Sequence, residues 1–290
     1  MTSATALSVA AAVADRLATP EQAHLRSLGR WWPQSLAQGA AGICLLHIER
    51  ARTGHASWER VQRWLEVTVS EGVATAVDST HLYFGAPSVL LVLHHAHQAG
   101  LECSDALGRL DPVLVQQVHH RLERAQTRLE RGEDPTIFEF DAVRGLAGLG
   151  HLLMLRAPVS PELFLVLDYL VRLTFARTHP DGTQVPGWWS HVGPGGSESE
   201  DFPGGHANNG LAHGIAGPLA LLSQAVLHRI RVPGDTEAIQ RILTWLDNWR
   251  QQGPAGPWWP YWITTTQHRD GTPVVGPQRP SWCYGAAGIA

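Results

Sequence analysis

Apolar positions along this chain follow two alternating rules. Residues 43–48, 89–95, 149–155 and 219–227 are apolar nearly all round, the mark of a helix buried on every side. Residues 58–73, 112–131, 161–177 and 235–251 instead carry a single apolar face. In the last of these, Ile239, Ile242, Leu243, Leu246 and Trp249 recur at helical spacing, with Arg241, Asp247 and Arg250 between them. Asp111-Pro112 and Ser160-Pro161 each put a capping side chain before a proline suited to a first helical turn. Residues 3–17 read as a further one-faced helix. The chain is therefore expected to alternate amphipathic and buried helices.

A cluster of small residues opens each buried segment. It occurs at Gly39-Ala-Ala-Gly42, Gly85-Ala-Pro-Ser88, Gly145-Leu-Ala-Gly148, Gly214-Ile-Ala-Gly217 and Gly285-Ala-Ala-Gly288, with first glycines 46, 60, 69 and 71 residues apart. Glycine at such a place lets a neighbouring backbone approach closely. Five repeats of one buried and one amphipathic helix follow from this pattern. The simplest closed arrangement is an all-α, α/α-toroid domain over residues 1–290, with buried helices inside and amphipathic ones outside. Two connections break the rhythm, residues 178–209 and 253–280, both rich in Pro and Trp. Loops of this length are usually functional or disordered; Trp-anchored surface loops, with a short hairpin, and substrate-contacting loops both fit.

Composition narrows the partners. With 22 basic and 26 acidic residues the net charge is −4, which argues against nucleic acid, whose binding rests on Lys and Arg neutralising phosphates. No apolar run reaches the roughly 18 residues that a membrane span needs, and the N-terminus lacks the basic start and apolar run of a signal peptide. Cys44, Cys103 and Cys283 make no disulfide framework. A cytoplasmic protein with reduced thiols is expected.

The candidate chemistry sits at one repeated position. Asp141 precedes Gly145 by four residues, His213 immediately precedes Gly214, and Cys283 precedes Gly285 by two. Equivalent positions of successive inner helices lie around one rim of a toroid, so these three should converge, with Arg279 in reach. Gln38 and Phe84 hold the same place in the first two repeats. Taken singly, each residue has a plainer role. Cys283 is a small core residue, His213 a packing residue, and Asp141 a helix cap.

Three segments resemble the LanC-like lanthionine synthetases, the lantibiotic cyclases. Phe140-Asp-Ala-Val-Arg-Gly-Leu-Ala-Gly148 is similar to their aspartate–glycine motif, Asn208-Asn-Gly-Leu-Ala-His-Gly-Ile-Ala-Gly217 to their histidine motif, and Arg279-Pro-Ser-Trp-Cys-Tyr-Gly285 to their tryptophan–cysteine–tyrosine–glycine motif. Asn209 stands where the family tends to have leucine, and Ala216 and Ala287 replace common prolines. The resemblance implies a toroid of seven helix pairs, of which this chain is expected to hold about five as a C-terminally truncated fragment. It implies zinc (Zn2+) held by two cysteines and a histidine. Cys283 matches the first cysteine, and the remaining Cys and His are expected beyond residue 290.

The implied reaction adds a peptide Cys thiol to a dehydroalanine or dehydrobutyrine, closing a (methyl)lanthionine thioether ring. A free thiol with a pKa of about 8.5 is only a few per cent thiolate near pH 7, a limit that coordination to zinc removes. Imidazole is the side chain that exchanges protons near neutral pH, so His213 is the implied acid–base residue. Asp141 would orient it, and Arg279 would stabilise the enolate oxygen. Trp282, Tyr284 and Asn208 are the expected substrate-binding residues. The implied partner is a dehydrated lantibiotic precursor peptide; a dehydratase and an export complex, the latter bringing the chain to a membrane, are candidate partners. Three other readings stay open on the residues: a LanC-like protein that binds or adds glutathione, a non-catalytic peptide-binding scaffold, and a carbohydrate-active toroid. The last lacks the second carboxylate that such chemistry needs.

Overall fold

A computed structural model describes residues 3–25, 31–179, 181–193, 197 and 199–289. Parts of the 178–209 loop, at 180, 194–196 and 198, and the terminal Ala290 lie outside the described residues. The chain divides into two compact units, Met1–Leu114 and Val115–Ala290, the division falling within one long helix.

In the first unit, α1 (Ser3–Arg16) and α2 (Pro20–Leu25) precede α3 (Ala40–Arg52), α4 (Trp58–Val69) and α5 (Ala86–Gln98). Helix α3 packs on α4 and α5. The small-residue cluster serves close approach at its start. A Cβ on Gly42 would lie 2.0 Å from the Leu36 carbonyl oxygen, so only glycine lets the incoming chain fold back there.

The long helix α6 (Ser104–Glu130) leads into α7 (Ile137–Phe140), α8 (Leu146–Arg156), α9 (Pro161–Leu173), α10 (Ala216–Leu227) and α11 (Asp235–Asn248). In the second unit α8 packs on α9 and α10, α10 packs on α11, and α9 also meets α11. Burial separates the two helix classes as the pattern predicts: eight of eleven residues are buried in α8 but four of fourteen in α11. The chain ends on α12 (Thr265–Asp270) and the short α13 (Ala286–Ile289). Among the described residues no helix is long and apolar enough to cross a membrane.

Helix boundaries depart from the expected ones for local reasons. Helix α6 starts at Ser104, not Pro112. The Glu102 carboxylate accepts from Ser104 N at 2.8 Å and the Cys103 carbonyl from Leu107 N at 3.0 Å, so an earlier start is already capped. Pro112 then lies inside the helix. Helices α4 and α9 stop about a turn short of their apolar pattern. The Ser70 and Thr174 hydroxyls donate to the carbonyls of Val67 and Val171 at 2.9 and 2.7 Å, a local bond that competes with further helix.

The two long loops form structure with each other. Strands β1 (Arg177–Thr178) and β2 (Gln184–Val185) make one hairpin, and β4 (Gln251–Gly253) and β5 (Gly256–Trp258) another. Between the loops, β3 (His206–Asn208) pairs antiparallel with β6 (Trp262–Thr264), His206 opposite Thr264. Trp188 and Trp189 anchor the first loop in the core. The Trp188 ring meets Trp245 of α11 edge-on at 5.6 Å, and Trp189 Nε1 donates to the Gly204 carbonyl at 2.9 Å. Trp188 and Trp189 thus anchor the first loop, and β3 carries it directly to the candidate chemistry.

Two imidazoles, His47 and His206, are fully buried among the described residues. His47 Nε2 lies 2.8 Å from the Leu17 carbonyl, and His206 Nε2 lies 3.0 Å from that of Val192. Burial lowers the pKa of both rings. The unfolded chain takes up protons at about pH 6.5, whereas the folded state resists until lower pH. Their contribution to stability is therefore complete above about pH 6.5 and is lost as pH falls toward the folded values. Thermal unfolding is expected at lower temperature at pH 5.5 than at pH 7.5, with a smaller difference in His206→Gln.

Candidate functional site

Asp141 terminates α7 and leads into α8, and its carboxylate uses both oxygens. Oδ1 accepts from the backbone N–H groups of Val143, Arg144 and Gly145 at 3.0, 2.5 and 2.7 Å. These N–H groups belong to the turn between α7 and α8, whose N-cap is Gly145 with no side-chain cap, so Asp141 holds the turn that leads into α8 and does not cap the helix itself as its sequence position suggested. Oδ2 remains, and His213 Nδ1 lies 2.6 Å from it. The turn-holding role and the chemical role are thus compatible, one on each oxygen. Asp141 is fully buried and the His213 side chain is 26% exposed. A buried carboxylate therefore fixes the ring from behind, while the ring itself reaches solvent.

The pair is held by its surroundings. The Ala142 N–H donates to the Ala212 carbonyl at 3.1 Å, tying the two segments together one residue from each functional side chain. The Phe138 ring stands edge-on to the His213 imidazole at 6.2 Å, with the Arg144 guanidinium 4.3 Å over its face. With Nδ1 bound to Asp141, Nε2 makes no hydrogen bond among the described residues and is the nitrogen left to exchange a proton.

Cys283 and Tyr284 reach the same region from the last segment. The Ala212 N–H points to the Cys283 carbonyl at 3.5 Å. A Cβ on Gly210 would lie 2.5 Å from that carbonyl oxygen and 2.6 Å from the Tyr284 ring, so the glycine two residues beyond Asn208 is what admits this turn. Asn208 is buried; its Nδ2 donates to Tyr284 Oη at 3.3 Å and its Oδ1 accepts from Gly210 N at 2.9 Å. Burial raises the Tyr284 pKa, opposed by the Asn208 bond and assisted by the nearby Cys283 and Asp141. The phenol therefore stays protonated and can donate. Its ring packs on Tyr261 at 4.7 Å. Cys283 is a free, half-buried thiol.

The remaining residues expected from sequence sit further out. Trp282 is 48% exposed. Arg279 is exposed, and among the described residues its guanidinium makes no ion pair; Tyr261 Oη donates to its backbone carbonyl. The structure thus brings together Asp141, His213, Asn208, Tyr284 and the Cys283 backbone, and leaves the Arg279 side chain toward solvent. For zinc, residues 1–290 supply Cys283 alone of the three implied ligands. Among the described residues, the group of three metal-ligating side chains close enough for one ion is elsewhere, at Asp134, His179 and His191.

Sequence reading missed several supporting residues. Asn209, a departure from the family pattern, is fully buried; it donates to the Pro260 carbonyl at 3.0 Å and accepts from Trp245 Nε1 at 2.8 Å. It pins the 253–280 loop to α11, which a leucine could not do. Behind Asp141, Arg128 of α6 holds Glu139 of α7 through two bonds of 3.2 and 2.7 Å, and Tyr169 Oη of α9 donates to the same carboxylate at 2.6 Å. Nothing in the spacing of these residues announces that three helices share one carboxylate.

Comparison with known proteins identifies the family and the fold. The profile of the family described as "Lanthionine synthetase C-like protein" matches residues 30–290. The nisin biosynthesis protein NisC of Lactococcus lactis subsp. lactis is 23% identical over 262 residues, covering 88% of this chain and 61% of that protein. A solved structure of nisin cyclase is similar with a TM-score of 0.71 at 22% identity, over 93% of this chain and 66% of that one. The chain thus spans under two thirds of the length of either relative. The structural likeness shows the fold, and with it the all-α, toroid-type class expected from the alternation of helices. With its family profile matched from residue 30 to residue 290 and its three motif segments joined around Asp141 and His213, the chain belongs to the lanthionine synthetase C-like family.

Proposed function

We propose that this protein closes thioether rings in a dehydrated precursor peptide, with His213 as the proton-handling residue. The supporting observation is the Asp141–His213 contact of 2.6 Å, in which a buried carboxylate leaves one imidazole nitrogen facing outward. The same pairing of a carboxylate with a catalytic imidazole recurs wherever a ring must be held in one tautomer while it passes a proton.

The proton balance can be written on this chain's residues. The peptide's Cys thiol gives up its proton to Nε2 of His213, and its sulfur forms a bond to the β-carbon of a dehydroalanine or dehydrobutyrine. The carbon–carbon π pair moves onto the adjacent carbonyl as an enolate. Nε2 of His213 then delivers a proton to the α-carbon, so thiol and alkene are consumed with nothing else added. Asp141 keeps Nδ1 protonated and offsets the charge of the imidazolium. The Tyr284 phenol, kept protonated by burial and oriented by Asn208, is a donor beside the reacting carbonyl. The exposed Arg279 guanidinium is available to the enolate oxygen once a peptide is seated, and Trp282 offers it an apolar face.

Cys283 is assigned to the zinc centre that the family resemblance implies, whose bound ion would make the substrate thiol a thiolate. Residues 1–290 carry that single ligand, so no step above passes through the metal. The three free cysteines fit the reducing cytoplasm that a thiol substrate requires. A dehydratase must supply the substrate, because the reaction consumes an alkene that only prior loss of water from Ser or Thr provides.

Incubating the protein with a dehydrated, Cys-containing peptide tests the assignment. Loss of titratable thiol without change in peptide mass is expected. A mass gain from an added small thiol, or unchanged thiol content, would replace it with the glutathione or the scaffold reading.

A further inference from the structure

Asp134, His179 and His191 come from two segments well separated in sequence and meet at one point. Asp134 lies in the connection between α6 and α7. His179 follows β1, and His191 follows the buried Trp188-Trp189 pair. Nε2 of His191 is 2.7 Å from Asp134 Oδ2, and Nε2 of His179 is 3.1 Å from the same oxygen. The two rings are nearly parallel, 22° apart with centroids at 5.7 Å, so both present Nε2 to one place. One ligand atom from each residue lies within 4.8 Å of the others.

A hydrogen-bonded cluster explains this arrangement incompletely. Nε2 of His179 is buried and makes no hydrogen bond despite its approach to Oδ2. A buried polar atom without a partner is destabilising, and a bound cation removes that penalty. The other carboxylate oxygen is already committed: Arg177 Nη1 donates to Oδ1 at 2.7 Å and to the Glu133 carbonyl at 2.7 Å. Ligands of a metal are commonly oriented by such an outer partner. Donors around a tetrahedral ion at about 2.0–2.1 Å stand about 3.3 Å apart, against 2.7 and 3.1 Å from Asp134 Oδ2 to the two Nε2 atoms, so a modest outward shift of the side chains makes room for the ion. The His191 side chain is 51% exposed, which leaves a fourth position open to water.

We propose that Asp134, His179 and His191 bind a borderline divalent cation, Zn2+, at a site separate from Cys283 and not dependent on the ring-closing reading. Two imidazoles and a carboxylate are the donor set zinc accepts. The ion ties the 177–193 segment to the connection that leads into α7. Helix α7 carries Phe138 and ends at Asp141. The tethered segment pairs at Ser190 with His206, by bonds of 2.9 and 2.8 Å, at the start of the strand that leads to His213. The clamp thus fixes both approaches to the Asp141–His213 pair.

Metal-stripped protein carrying Cys283→Ala, which silences the assigned thiolate ligand, isolates this site. Titration with Zn2+ against a chromophoric chelator is expected to show one bound equivalent. His191→Ala or Asp134→Asn in the same background should weaken it by more than the roughly 10–100-fold that loss of an outer partner costs. Co2+ in its place should give visible ligand-field bands with no sulfur-to-metal charge transfer. His191 is half exposed, so its replacement leaves the fold intact; retention of the thermal unfolding midpoint of the metal-free protein checks this. No bound equivalent in Cys283→Ala, or one that His191→Ala and Asp134→Asn leave unchanged, overturns the proposal. Ring closure lost in Cys283→Ala while this equivalent remains would separate the two sites.

Discussion

His213→Asn is expected to slow ring closure by about 10²–10⁴-fold, the usual contribution of a positioned acid–base group. The loss should fall on kcat more than on KM, because the imidazole is assigned to proton transfer and not to holding the peptide. The fold should survive. His213 is partly exposed, and its one polar contact among the described residues is to a carboxylate that keeps three backbone donors on its other oxygen. Asparagine can still donate to Asp141 but cannot exchange a proton. Thiol consumption under saturating dehydrated peptide measures the effect directly, and circular dichroism of the same sample checks the fold.

Arg128→Ala carries the largest expected stability effect. Its guanidinium and the Glu139 carboxylate are 9% and 12% exposed and 2.7 Å apart. Burial works against the Arg128 charge, yet the hydrogen bonds and charge of Glu139 outweigh it and raise the guanidinium pKa. Burial, and then the Glu139 charge, push the Tyr169 phenol well above its usual value, so it remains a donor. Removing one member of such a pair leaves an uncompensated buried charge, at a cost of about 3–5 kcal/mol. Replacing both, as in Arg128→Met with Glu139→Leu, should cost less than Arg128→Ala alone, because no lone charge remains. Urea unfolding of the two variants measures the difference. Since Glu139 lies two residues before Asp141, a loosened α7 should also lower the ring-closing rate.

Much of this was legible in the chain because it rests on short-range chemistry. Apolar periodicity separates α8 from α11, since a buried helix and a half-buried one need different residues at every turn. The clusters at 145–148 and 214–217 mark helix starts, and the register between them places Asp141 and His213 together. What escaped the sequence depends on pairing between distant segments. The union of β3 with β6 joins loops more than 50 residues apart, and neither His206–Asn208 nor Trp262–Thr264 is long enough to announce a strand. Asn209 reads as a departure from a motif until Pro260 and Trp245 are seen on its amide. Pro112 misplaced the start of α6, because proline favours a first turn while the Glu102 cap ten residues earlier begins the helix sooner. Asp134, His179 and His191 show no motif spacing at all.

Asp141 and His213 are proposed to act as one proton-handling device. A double-mutant cycle on ring closure tests it most directly, with Asp141→Asn, His213→Asn and the double variant compared under single-turnover conditions. If the two residues form a unit, each single change costs about 10²–10⁴-fold, and the double variant is no slower than the slower single one. Losses that multiply, or an Asp141→Asn variant as fast as the unaltered protein, would contradict the account.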